Sequence, residues 1–312
     1  MRDDVSFDDY DEIHSPRAEE TDLDRVIDNA ISRRGFLSVL SVGLGSFVMG
    51  TSALTGLARA AGDRFGFAQV PAGTDDTIVV PDGFEWETLV SRGDPLFPGA
   101  TPFDHDSRGT AASQATSFGD NNVGMSVFQR DGRVVMAVNN EYTNRSIIWG
   151  NREDGKAAND DDVLKGMMAH GVSVYEITRT GDSWAVNVNS PINRRITADT
   201  EMELTGPAAG SDMLKTAADA TGTKSKGTWN NCGNGQTPWG TYLACEENFN
   251  GYFSSSDEGF ERTASMKRYG VNLEDWGYGW AKVDERFDIS KHPNEPNRAG
   301  YVVEIDPFDP TS

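Results

Sequence analysis

A chain of 312 residues is long enough to bury a sizeable core, and propellers, barrels and other large β folds reach this length as one domain. Its 49 acidic against 28 basic residues give a formal net charge of -21, which argues against nucleic acid as a partner, because phosphate neutralisation by Lys and Arg dominates such binding. An acidic surface is compatible with divalent cations or a salty medium as well as with plain solubility.

Residues 1–30 carry eleven acids, from Asp3 to Asp28, against three arginines and hold too little apolar material to pack, so a disordered acidic leader is expected. Residues 31–60 then read as a twin-arginine export signal. The run Ser32-Arg33-Arg34-Gly35-Phe36-Leu37 precedes a modestly apolar core, and Ala58-Arg59-Ala60 supplies a small-x-small cleavage site. A transmembrane helix of marginal length is the alternative; Gly43, Gly45, Gly50 and Gly56 and several serines weaken it. The expected address is therefore periplasmic or secreted, by way of the twin-arginine translocation machinery and without a stable membrane anchor. That route suits a protein that folds around its metal before it crosses.

From residue 61 to 312 the pattern is β-rich. Short β-branched or aromatic runs recur at Thr77 to Val80, Trp86 to Val90, Val134 to Asn139, Val172 to Ile177, Trp184 to Val188, Trp239 to Cys245 and Tyr301 to Ile305, divided by Gly, Asp, Asn and Pro clusters. Helical periodicity is weak, with candidates around Asp160 to Met168 and Ser211 to Ala218. Many short strands with polar connections favour an all-β propeller or sandwich, although no sequence repeat marks blades. The strand ending in Asn139-Asn140-Glu141 places Glu141 where a carboxylate can be offered to a central site, or simply to solvent. A strand at Tyr301 to Ile305 so near the last residue lacks a following partner, which leads us to expect a truncated chain.

The densest chemistry lies between Trp229 and Phe253, which contains both cysteines, Cys232 and Cys245, the pair Glu246 and Glu247, and a run of carboxamides. Thiol, carboxylate and amide oxygen in one segment suggest a metal site. The spacing is not a zinc pattern, and in an oxidising compartment a Cys232–Cys245 disulfide competes with a metal thiolate. Oxygen ligands suit calcium, and a lone thiolate among carboxylates suits iron or another transition metal. No phosphate-binding loop and no Gly-x-Ser-x-Gly elbow occurs. Of the four histidines, His170 precedes a strand and is read as a ligand, a proton carrier or a hydrogen-bonded structural residue.

The stretch Asn230-Asn231-Cys232-x-x-Gly235-x-Thr237-Pro238-Trp239-Gly240-Thr241-Tyr242-Leu243-x-Cys245-Glu246-Glu247-Asn248 resembles the signature of the PhoX-type alkaline phosphatases. Gly93-Asp94-Pro95-Leu96-Phe97, Asn139-x-Glu141-Tyr142-Thr143-Asn144, His170-Gly171-Val172-Ser173-Val174, Leu204-Thr205-Gly206-Pro207, Asn294-Glu295-Pro296-Asn297-Arg298 and Gly300 to Pro307 agree with it in order, from about residue 76 to the last. The resemblance implies an exported phosphomonoesterase on a six-bladed β-propeller, present here in part, with an iron and calcium cluster at its mouth. It also implies phosphate-ester small molecules as substrates, and we expect a monomer. By position Cys232 matches an iron-ligating cysteine and Glu247 a calcium-ligating carboxylate. Glu141 and Glu304 are placed near the same metals, while Asn231, Glu246 and Asn140 stand beside the ligands and orient them. This favours the thiolate over the disulfide at Cys232.

Two positions depart from the family pattern: Asn140 stands where the family usually has His, and Val123 where it usually has Asp. The family's further acidic ligands and basic substrate-binding residues are expected beyond Ser312, so no catalytic residue is assigned and the 312-residue chain is expected to be inactive unless complemented. The alternatives to a phosphomonoesterase are a non-catalytic exported calcium-binding propeller and a phosphodiesterase on the same metals.

Overall fold

The computed structural model of the protein describes residues 67–74, 76–150 and 156–312. The acidic leader and the twin-arginine segment, with Arg33 and Arg34, lie outside the described residues. The chain divides into two compact units, Met1–Trp86 and Glu87–Ser312. In the first, described residues 67–86 form no regular element, and Phe67 meets Phe84 edge to face at 5.4 Å. The strand expected at Thr77 to Val80 is absent. Ile78 and Val79 are exposed, and the chain turns directly afterwards as Phe84 N–H donates to the Pro81 carbonyl. The stretch 87–90 of the next expected strand is likewise irregular.

The second unit is mostly β-sheet with few helices, and its described strands close no barrel. Its larger sheet is antiparallel. Strands β1 (Asn122–Arg130), β2 (Arg133–Asn140) and β3 (Gly171–Thr180) lie side by side; β4 (Ser183–Val186) and β5 (Arg194–Ile196) share the far edge of β3. Strands β6 (Glu201–Glu203) and β7 (Lys224–Lys226) form a separate ribbon. A three-stranded antiparallel sheet follows, ordered β10 (Val302–Ile305), β9 (Tyr242–Glu246), β8 (Asn231–Gln236).

The period-two pleat decides where the core lies. Val135 and Ala137 of β2 and Val172 and Val174 of β3 pack with Tyr242 and Ala244 of β9 and Val303 and Ile305 of β10, forming an apolar layer between the two sheets. The opposite face of β2 and β3 offers Val138, Tyr175 and Ile177 to Leu96 and Phe118. Tyr242 stitches the layer together: its hydroxyl, 2.8 Å from each, reaches the Gly124 carbonyl and Asn139 Oδ1.

Four short helices are present among the described residues: α1 (Ala111–Gln114), α2 (Arg145–Ile148), α3 (Asp160–Ala169) and α4 (Ala264–Arg268). Helix α3 realises the expected one. Asn159 caps it by accepting from Asp162 N–H, and Asp160, Asp161 and Asp162 complement the positive end of its dipole. The other expected helix, Ser211 to Ala218, shrinks to a single 3-10 turn at Asp212–Leu214, because only Leu214 is buried and Lys215 is already extended. Helix α3 stops at His170, and Gly171 turns with φ +98 so close to the Ile196 carbonyl that a Cβ would overlap it. Around this turn lies a second core, an aromatic one, in which Trp229, Tyr252, Phe253, Trp280 and Phe287 pack together.

Candidate metal centre

Three side chains from three strand ends converge. Glu141 follows the last residue of β2, Cys232 lies on β8, and Glu247 follows the last residue of β9; one ligand atom of each lies within 4.8 Å of the others. Backbone bonds explain the meeting. Asn230, in the left-handed region at φ +51, donates its N–H to the Glu141 carbonyl at 3.0 Å, and its own carbonyl accepts from Glu247 N–H at 2.9 Å. One residue therefore fastens both carboxylate-bearing turns. Glu141 is held from its other side by its N–H, which donates to the Asn121 carbonyl.

Cys232 is positioned by a bulge. The β8–β9 register slips between Asn231 and Asn234, and the buried Asn139 amide fills the irregularity by donating to the Cys232 carbonyl at 3.0 Å and to that of Gly233 at 3.2 Å. The β2 strand thus delivers Glu141 and steadies Cys232 at once. Glu247 is exposed, whereas Glu141 and Cys232 are half-buried.

Electrostatically the trio gathers two carboxyl groups and a thiol at one point. Burial, then the Glu247 charge, raises the Glu141 pKa; burial, then Glu141 and Glu247, raises that of the Cys232 thiol. Glu141 and Cys232 are thus pushed toward their protonated forms, a conflict that a bound cation reverses. Two buried carboxamide oxygens in the same segment, Asn230 Oδ1 and Asn231 Oδ1, have no hydrogen-bond partner. Carboxylates, a thiol and unpaired amide oxygens make a donor set that fits a metal ion of mixed hard and soft preference.

The supporting residues named from the sequence take distinct places. Asn231 Nδ2 donates to Thr228 Oγ1 at 2.6 Å. Glu246 faces away from the trio and accepts from Gly300 N–H at 2.8 Å and Tyr301 N–H at 3.1 Å, while burial pushes its carboxyl up to about 7. Asn140 is buried, donates to Asn122 Oδ1 at 2.7 Å, and accepts from Ser173 Oγ and the Arg195 guanidinium. Glu304 is not brought to the group: its Oε1 accepts from Trp239 Nε1 at 2.7 Å and Thr241 Oγ1 at 2.5 Å, bonds that hold it below the usual carboxylate range. Both cysteines are free thiols, so the disulfide alternative is not realised.

Sequence reading missed Asn230 as the fastener and Tyr252 behind it. A left-handed backbone at an asparagine leaves only a weak trace in sequence, a preference for Asn over other non-glycine residues. His170 proves to be a buried, hydrogen-bonded residue outside the trio.

The family profile described as alkaline phosphatase PhoX matches residues 65–312. Among solved structures the chain is similar to Pseudomonas fluorescens PhoX in complex with vanadate, a transition state analogue, with 46% sequence identity and a TM-score of 0.75, over 79% of this chain and 43% of that one. The chain therefore spans less than half the length of that relative. Comparison with curated proteins gives no match.

Proposed function

The chain belongs to the PhoX alkaline phosphatase family, and on that premise we propose that it serves an exported, metal-dependent phosphomonoesterase that releases inorganic phosphate from organic phosphate esters. The observation that carries the reading is the convergence of Glu141, Cys232 and Glu247 at one point. Iron and calcium are the metals proposed: the Cys232 thiolate supplies the soft ligand that iron accepts, and the glutamates and amide oxygens supply the hard ligands of calcium. Bound there, the metals would neutralise charge on a phosphoryl group and activate the attacking oxygen.

The chain's own residues prepare that chemistry. Glu141 and Glu247 arrive on turns that Asn230 ties together, so the two carboxylates are held in register without depending on solvent-exposed side-chain contacts. Cys232 would hold the cation as a thiolate and would release its proton on binding it, since burial and then Glu141 and Glu247 raise the pKa of its thiol. Asn139 keeps the bulge, and hence the sulfur, from drifting.

Further parts of the reading concern the whole protein. The described strands are proposed to belong to a six-bladed propeller, Arg33 and Arg34 to direct twin-arginine export to the periplasm or medium, and the protein to act as a monomer. A relative seen with vanadate, a transition state analogue, supports phosphoryl transfer as the reaction class. Since the 312 residues alone are expected to be inactive, the expected result is hydrolysis of p-nitrophenyl phosphate by the metal-loaded chain once it is complemented with the length it lacks relative to the similar PhoX structure, inhibited by vanadate and lost in Cys232→Ser together with its iron. Equal activity and iron content in Cys232→Ser would sink the assignment, and a preference for bis(p-nitrophenyl) phosphate would make the enzyme a diesterase.

A further inference from the structure

A hydrogen-bond chain of fixed direction runs from the aromatic core to the residue that joins Glu141 to Glu247. It begins at His170, whose ring is completely buried, with Nδ1 at 2.7 Å from the Gly166 carbonyl and Nε2 at 3.0 Å from the Tyr252 hydroxyl. A carbonyl oxygen only accepts, so Nδ1 carries the proton. Burial keeps the imidazole neutral, leaving Nε2 bare and in need of a donor. Tyr252 must therefore donate its single hydroxyl proton to His170. It accepts from Asn230 Nδ2 at 2.8 Å.

The consequence falls on Asn230. Its amide must turn the NH2 group toward Tyr252, because a flipped amide would set Oδ1 against a hydroxyl oxygen whose proton is already committed. Oδ1 is thereby held on the other side of the group, buried and without a donor. Tyr252 has little freedom to give way: its ring stacks on Tyr278 at 4.1 Å with a 12° interplanar angle and abuts Trp280 at 4.5 Å. The Asn230 backbone, bonded to the Glu141 carbonyl at 3.0 Å and to the Glu247 N–H at 2.9 Å, sets this end of the chain beside the acidic trio. A buried carbonyl left without a donor forfeits its hydrogen bond to water, a penalty that a cation relieves.

We propose that His170 and Tyr252 are positioning residues that lock Asn230 Oδ1 in place as a neutral oxygen ligand to a hard cation shared with Glu141, Cys232 and Glu247. The inference rests on the metal-site reading above and extends it to residues that touch neither metal nor substrate.

Calorimetric titration of calcium chloride into the chelator-stripped full chain tests both. Tyr252→Phe keeps the stacked ring and removes only the hydroxyl; the calcium Kd should rise about tenfold or more. Asn230→Ala should weaken binding at least as much, and the double variant should be no weaker than Asn230→Ala alone, since Tyr252 acts through Asn230. An unchanged Kd in folded Tyr252→Phe, or losses that simply add, overturns the positioning role while leaving the metal site standing. Absence of calcium binding in the unmodified protein overturns both. Should the variants fail to fold, 15N NMR of the unmodified protein decides: His170 must show a protonated Nδ1 and a bare Nε2, and a proton on Nε2 refutes the chain of donors.

Discussion

Acid should weaken this protein through His170, and by an amount that its surroundings set. The ring sits among Tyr252, Tyr278 and Trp280, with centroids at 5.4, 5.8 and 4.9 Å, and the nearby charge is the Arg195 guanidinium, which donates to the His170 carbonyl oxygen. Burial dominates and brings the imidazole pKa down to about 4, with the Gly166 carbonyl pulling weakly the other way and Arg195 adding to the depression. The unfolded chain binds the same proton near pH 6.5. The stabilising difference is therefore complete above about pH 6.5, is lost as pH falls toward about 4, and changes no further below that. The span of about 2.5 pH units corresponds to roughly 3 kcal/mol. Urea denaturation from pH 7.5 to 4 of the wild type and His170→Asn isolates this contribution, because carboxylates titrate alike in both. The asparagine amide can still donate to the Gly166 carbonyl, but Tyr252 loses its acceptor, so the variant should start about 1–3 kcal/mol weaker. Toward pH 4 the difference should move by roughly 3 kcal/mol in the variant's favour, cancelling or reversing that deficit. A gap that stays constant across the range refutes the assignment of a neutral buried imidazole.

Other expectations follow from single contacts. Gly171→Ala places a Cβ against the Ile196 carbonyl at φ +98, and the combined overlap and backbone strain should lower stability by more than about 3 kcal/mol, read as a fall in Tm and soluble yield. Tyr242→Phe strips the inter-sheet layer of the one hydroxyl proton that the Gly124 carbonyl and Asn139 Oδ1 share, a loss of about 1–3 kcal/mol in denaturant unfolding with the fold retained. Glu304→Gln keeps an oxygen for Trp239 and Thr241 and should leave calcium affinity unchanged by calorimetry; a marked weakening would bring Glu304 back to the metals.

Strands that were legible in the sequence are those whose side chains do the burying. Val134 to Asn139 and Val172 to Ile177 alternate or run apolar because both faces of β2 and β3 are covered, and they appear where expected. The run from Trp239 forms a strand only from Tyr242, because Thr237 to Thr241 closes a turn with Gly240 at φ +91. Strand β8, Asn231–Gln236, gave no periodic signal at all. Cys232 aside, its residues are glycines and carboxamides, and it is a strand through its partners: the β9 ladder, Asn139 on its bulge, Ser126 Oγ accepting from Asn234, and the Val127 carbonyl accepting from Gln236. Tertiary pairing, invisible in a local window, made it.

The candidate metal centre shows the same division between residue type and placement. Cys232 and Glu247 could be read together because one hairpin carries both, and Glu141 because it ends a recognisable strand. Glu304 had the right chemistry but the wrong register. It pairs with Leu243, four residues along β9 from Glu247, which at about 3.4 Å per residue separates them by on the order of 13 Å along the strand. The carboxamides between Trp229 and Phe253 were read as oxygen donors, yet Asn230 and Asn248 first act on the backbone, taking φ +51 and +45 as Asn121 takes +43, at or beside the strand ends that present Glu141, Cys232 and Glu247. Left-handed asparagine costs less than any other non-glycine residue there and still brings an amide oxygen, which glycine cannot. The choice of Asn over Gly at Asn230 thus serves the turn, and under the proposal above it serves the cation with the same side chain.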